Sequence, residues 1–69
     1  MSDPAVVREG ELLHVGDLDR VERTLGGDGW RHYRWIEDGP GGPGRWRLVR
    51  EYSSEDKALA AALAAAGPP

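Results

Sequence analysis

A metal centre or an acid–base site would be assembled from histidines, thiols and carboxylates, so those residues come first. The chain has two histidines, His14 and His32, and no cysteine. Asp17, Asp19 and Asp28 are the candidate oxygen donors near them. No pair of histidines stands at helical H-x-x-x-H spacing, and no EF-hand loop is present, so neither a metal nor any other cofactor is expected. His32 is expected at the surface. A nucleophile would be a hydroxyl beside a base. Ser2 lies in the N-terminal tail, and Ser53 and Ser54 stand where a helix begins, where capping accounts for them. Thr24 lies in the expected first helix. Lacking a nucleophile–base pair or paired carboxylates, the sequence predicts a protein that is not an enzyme.

Phosphate chemistry is the next candidate. Residues 39–44 read GPGGPG. Gly39, Gly41 and Gly44 have the G-x-G-x-x-G spacing, and Gly39 and Gly44 also match the glycine frame of a Walker A loop. Neither mechanism is served. A dinucleotide fingerprint must lead from a strand into a helix whose N-terminus faces the pyrophosphate. Here the chain continues into strand-forming residues. Walker A needs Lys and then Ser or Thr after the second glycine, and this chain has Arg45 and Trp46. Pro40 and Pro43 also remove two amide donors from any phosphate cradle. Residues 38–44 are therefore expected to be a flexible hairpin loop.

Recognition chemistry is better represented. Residues 29–52, GWRHYRWIEDGPGGPGRWRLVREY, hold all three tryptophans, both tyrosines and five of the eight arginines. The chain as a whole carries a net charge of -3. Its charge is segregated: residues 1–29 sum to -4, residues 30–50 to +3 and residues 51–69 to -2. Such asymmetry bears on association. WRHYRWIE and RWRLVREY, flanking the glycine–proline loop, predict a β-hairpin. Strict alternation puts Tyr33, Trp35, Trp46, Leu48 and Tyr52 on one face, expected to be the core. It puts Trp30, His32, Arg34 and Ile36 with Arg45, Arg47 and Val49 on the other, expected to face outward. Trp30, His32, Arg34, Arg45 and Arg47 are thus the candidate binding surface, since Trp and Arg carry much of the energy of interfaces. A simpler reading keeps the rings as core and pairs the arginines with Glu37, Glu51 and the acidic first half as solvated ion pairs.

The elements that must position these residues follow from patterning. Residues 1–5 and 67–69 are expected to be loose ends. A strand is expected over 11–15, with a second short piece at 6–8. Asp17 suits an N-cap, and Leu18, Val21 and Leu25 fall on one side of a helix, predicting a short helix over 18–25 closed by Gly26. A strand through 21–25 is the rival, because both β-branched residues of the segment lie there. At the other end, Ser53 and Asp56 approximate a capping box before an alanine-rich helix stopped by Gly67, Pro68 and Pro69. Leu59 and Leu63, with Ala58, Ala62 and Ala66, form its low-relief apolar stripe. Together these predict one small α+β domain over 1–69. An antiparallel sheet of about three strands, in the order β-α-β-β-α, would carry its helices on one face.

Size and composition limit function further. A 69-residue chain buries only about 60% of its unfolded surface, so its margin of stability is thin. No apolar run reaches the ~20 residues of a membrane span, and no signal-peptide pattern opens the chain. A cytoplasmic location is expected, with no membrane partner. Arginine outnumbers lysine eight to one, as in GC-rich bacterial genomes. Two functions remain. One is a protein-interaction adaptor or regulator that meets an acidic protein partner or its own copy, segment 1–29 of one chain facing the hairpin of another. The other is a nucleic-acid-binding module, with the hairpin on DNA or a single strand. Overall acidity favours the first, because phosphate neutralisation supplies most non-specific nucleic-acid affinity.

Overall fold

A computed structural model describes residues 5–37 and 39–67. The loose ends expected at 1–5 and 67–69 fall mostly outside these residues, as does Asp38 in the loop. Five strands, β1 (Val6–Glu9), β2 (Leu12–Val15), β3 (Asp19–Arg23), β4 (Trp30–Glu37) and β5 (Gly44–Tyr52), precede one helix, α1 (Glu55–Ala66). The strands form a single antiparallel meander in the order β1-β2-β3-β4-β5. The expected α+β class, with an antiparallel sheet and helical cover on one face, describes this arrangement. The expected three strands and the order β-α-β-β-α do not.

The difference arises at residues 17–25. Here a strand replaces the expected short helix. Val21 pairs with Leu13 on one side and His32 on the other and is fully buried. Leu25, the third member of the expected helical stripe, is fully exposed. Eight residues form a marginal helix in water, whereas β3 gains two ladders of hydrogen bonds. Tight turns make the meander possible. The β1–β2 hairpin turns on Gly10 and Glu11, with Gly10 at φ 60, the glycine-first arrangement of a type II′ turn.

The core lies between α1 and one face of the sheet. Leu13, Val15, Val21, Ala58 and Ala62 are buried, and Trp30, Tyr52, Leu59, Leu63 and Ala66 pack against them. Ser54 caps the helix, accepting a hydrogen bond from the Lys57 amide at 3.3 Å. Gly67 closes it through its own N–H to the Leu63 carbonyl at 2.7 Å. Buried alanines let the helix axis approach the sheet closely, so the small side chains of Leu13, Val15 and Val21 suffice to fill the space beneath it.

The helix covers the face opposite to the one expected. Residues with the parity of Val21 lie under α1, and residues with the parity of Arg20 and Glu22 lie on the open side. That choice follows from β3. Seating α1 on the open side would put Arg20 and Glu22 under an alanine helix without partners, a costly burial of charge. A β-bulge adds a second departure. His32 pairs with Arg50 and Tyr33 with Leu48, which leaves Val49 as an extra residue on β5. One extra residue reverses the parity of everything beyond it. Tyr52 therefore pairs with Trp30 and joins the core under α1, instead of lying with Trp35 and Trp46.

Candidate binding surface

Trp30, His32, Arg34, Arg45 and Arg47 do share one side of the sheet, as alternation requires, but it is the helix-bearing side. The hairpin is longer than the helix footprint, and this divides them. Trp30, at the near end, packs on the core, and Arg23 sits over its ring with the guanidinium carbon 5.9 Å from the centroid. His32 is buried at 1% exposure, which corrects its expected surface position. The cause is its pairing with Val21 directly beneath α1.

His32 has a partner that the sequence did not reveal. Its Nε2 lies 2.7 Å from Oδ1 of Asp19, itself 1% exposed. Facing a carboxylate, Nε2 carries the proton and donates, and Nδ1 is buried without a hydrogen bond among the described residues. Arg34 completes the group. Its Nη1 donates to Oδ2 of Asp19 at 3.2 Å and to the Ala65 carbonyl at 3.0 Å. One guanidinium thereby neutralises a buried carboxylate and caps the C-terminal end of α1, whose last turn has no basic residue of its own. A cation there is favoured by the free carbonyls. Chemically, an Asp–His pair could hold and move a proton, but this one is sealed beneath the helix, away from solvent. Its visible effect is to join β3, β4 and α1.

Beyond α1 the far end of the hairpin is uncovered. Arg45 and Arg47 are exposed, and Ile36 and Arg34 are half-buried. Arg34, Ile36, Arg47, Leu48 and Val49 line a shallow groove of about 280 Å³ at the bulge. Leu48 and Val49 are 46% and 52% exposed. Arg47 has neither an ion pair nor a hydrogen bond among the described residues. This end of the candidate surface stays accessible; Trp30 and His32 do not belong to it.

The open face of the sheet carries the other rings. Trp35 pairs with Trp46, edge to face, with centroids 5.3 Å apart and planes at 70°. The Trp35 indole lies across Gly44, where a Cβ would collide with it, so glycine is needed at the start of β5 for this packing. Arg20 stacks on both Tyr33 and Trp46, 5.2 and 4.5 Å from the two centroids. Its Nε is buried without a hydrogen-bond partner among the described residues. Farther along, Arg31 donates to Glu51 at 2.9 Å, and this bond raises the pKa of the guanidinium above its ordinary value. Part of the simpler ion-pair reading therefore holds: Arg31 meets Glu51 and Arg34 meets the acidic first half, through Asp19.

Arg20 was missed as a recognition residue because 18–25 read as a helix. Read as a strand, its period of two would have placed Arg20 beside Tyr33. The sequence offered Asp19 only as one of three possible oxygen donors; its pairing with His32 and Arg34 was not legible, since those partners are 13 and 15 positions away.

Among the described residues no group of three or more His, Cys, Asp or Glu side chains could hold a metal ion, and no helix is long and apolar enough to cross a membrane. The chain matches no family model, no curated protein and no solved structure.

Proposed function

We propose that this protein is a non-catalytic interaction module, an adaptor or regulator that docks an acidic protein partner on the far end of its β4–β5 hairpin. One observation carries the reading. Arg8, Arg20, Arg23, Arg31 and Arg34 are each engaged within the molecule; Arg47 and Arg50 are exposed with no side-chain partner among the described residues, and of these two Arg47 stands beside a partly apolar groove on an edge strand. An unmatched guanidinium next to exposed aliphatic surface is a composition suited to a carboxylate-bearing partner.

Nucleic acid is the second reading, favoured by the rings on the open face. Base stacking needs free ring faces. Arg20 already occupies the faces of Tyr33 and Trp46, and the net charge of -3 opposes phosphate, so the protein partner is preferred.

Affinity capture from a cell lysate, with and without nuclease, tests the choice. The wild type should retain a protein after nuclease treatment that the R45E/R47E double variant loses. Retained material that disappears with nuclease and with modest salt would establish the nucleic-acid reading instead. Equal capture by the folded double variant would remove this surface from consideration.

A further inference from the structure

The two edges of the sheet differ in a way that specifies how a partner would bind. β1 has four residues, and both of its charged side chains are paired, Arg8 with Glu55 of the helix and Glu9 with His14 at 2.6 Å, whereas on β5 Glu51 is paired with Arg31 and Arg47 has no side-chain partner among the described residues. β5 has nine residues, is bonded to β4 on one side only, and is exposed over most of its length. Every second residue of such an edge turns its N–H and C=O away from the sheet, where water or another strand must satisfy them.

The side chains of β5 also sort by chemistry. Arg45 and Arg47 lie on the helix side, and Trp46 and Leu48 on the ring side. A second copy paired β5 to β5 is a poor occupant. Antiparallel two-fold pairing of β5 with itself keeps residues on their own faces. Centred on Arg45, Trp46 or Arg47, it sets Arg45 against Arg45, Arg45 against Arg47, or Arg47 against Arg47. Like charges directly opposite are destabilising, and such charged edges discourage self-pairing. The same feature selects for a complement.

Building on the interaction-module reading, we infer that β5 is a strand-addition edge for an extended segment of a partner protein in which acidic and apolar residues alternate. The segment continues the sheet as a sixth strand. Its acidic side chains meet Arg47 and the mouth of the groove beside Arg34. Its apolar side chains lie against Trp46 and Leu48. Backbone pairing supplies affinity and the two-sided pattern supplies specificity. Val49, the bulged residue, ends the regular edge and sets the length of segment that pairs.

Capped octapeptides test this on the full chain. The probe alternates glutamate and valine. Its controls are four glutamates followed by four valines, an alternating lysine–valine peptide, and the probe N-methylated at alternate amides on one edge or the other. Titration followed by amide chemical shifts and hydrogen exchange should show the alternating acidic peptide binding, with slowed exchange confined to outward amides of β5. One of the two methylated forms should lose binding, and R47E should weaken it at least tenfold in a variant whose circular dichroism is unchanged. The lysine and block peptides should not bind. If the block peptide binds as well and methylation has no effect, strand addition fails while charge-based docking at the hairpin survives. If neither acidic peptide perturbs β5, the inference fails together with the acidic-partner reading. If sedimentation shows copies of the chain associating through β5 and excluding the peptide, a second copy is the occupant and the inference is overturned.

Discussion

The covered and open faces of this sheet use opposite solutions to the same shortage of apolar volume. Under α1 the molecule uses small aliphatics, Leu13, Val15 and Val21, against buried alanines. It also admits a polar group, Asp19, His32 and Arg34, whose charges are matched within the group. On the open face it uses large rings stacked through an arginine, Arg20 between Tyr33 and Trp46, with solvent on the far side. The comparison separates two kinds of gathered arginine. Arg34 closes a buried circuit, Arg20 fills space between rings, and Arg47 does neither. Exposure and pairing, more than residue type, distinguish a structural cation from one available to a partner.

Substitutions on the two faces should therefore differ in kind, and the largest effect belongs to Asp19. Asp19→Ala leaves His32 and Arg34 facing an empty site under the helix. Breaking a buried pair this way costs about 3–5 kcal/mol, close to the whole stability of so small a domain. Far-ultraviolet circular dichroism in a urea titration should find the variant largely unfolded without denaturant. A cooperative transition near that of the wild type would mean the polar group is dispensable and the aliphatic core alone holds α1.

Next in size is Ala62→Leu. Ala62 is fully buried against the sheet, so the added carbons must push the helix outward, at about 1–3 kcal/mol. Thermal unfolding should move down by several degrees. A gain in stability would reveal unfilled space beneath α1 and overturn the close approach described above.

A smaller effect is expected on the ring face. Trp46→Ala removes one of two platforms for Arg20 and the edge contact with Trp35, together about 1–2 kcal/mol. A double-mutant cycle with Arg20→Ala should recover a coupling of about 0.5–1 kcal/mol between the two side chains. If Trp46→Ala unfolds the protein as Asp19→Ala is expected to, the open face is a second core and the contrast between faces collapses.

The smallest effect should come from Arg47→Glu. Exposed and without a side-chain partner among the described residues, it should change the urea midpoint by an amount equivalent to no more than about 0.5 kcal/mol. A larger loss would show that Arg47 supports the hairpin, and the proposed docking surface would lose its central residue.

Much of this architecture was legible locally. The hairpin of β4 and β5, the β2 strand and the C-terminal helix follow from composition and periodicity in adjacent residues, and Gly67 ends the helix as a stop signal should. β3 was not legible. Leu18, Val21 and Leu25 satisfy a helical period, and only the flanking strands, which offer Val21 a place between Leu13 and His32, decide against it. Alternation placed Arg34, Arg45 and Arg47 on one side of the hairpin, with Ile36 beside them. Trp30 and His32 were assigned to the same surface because nothing local shows how far along the hairpin α1 extends.

By itself, the sequence determined the segregation of charge, the ring- and arginine-rich hairpin, and the grouping of Trp30, His32, Arg34, Arg45 and Arg47 on one side, because period-two alternation is a property of the strand alone. Only the tertiary structure decided which side the helix covers, that one bulged residue moves Tyr52 into the core, and that Asp19 lies against His32 and Arg34. These depend on burial, and burial is set by what is distant in the chain. Arg20 and Glu22 have no partners to offer beneath a helix of alanines, so α1 takes the other face, and Tyr33, Trp35 and Trp46 stay in the open.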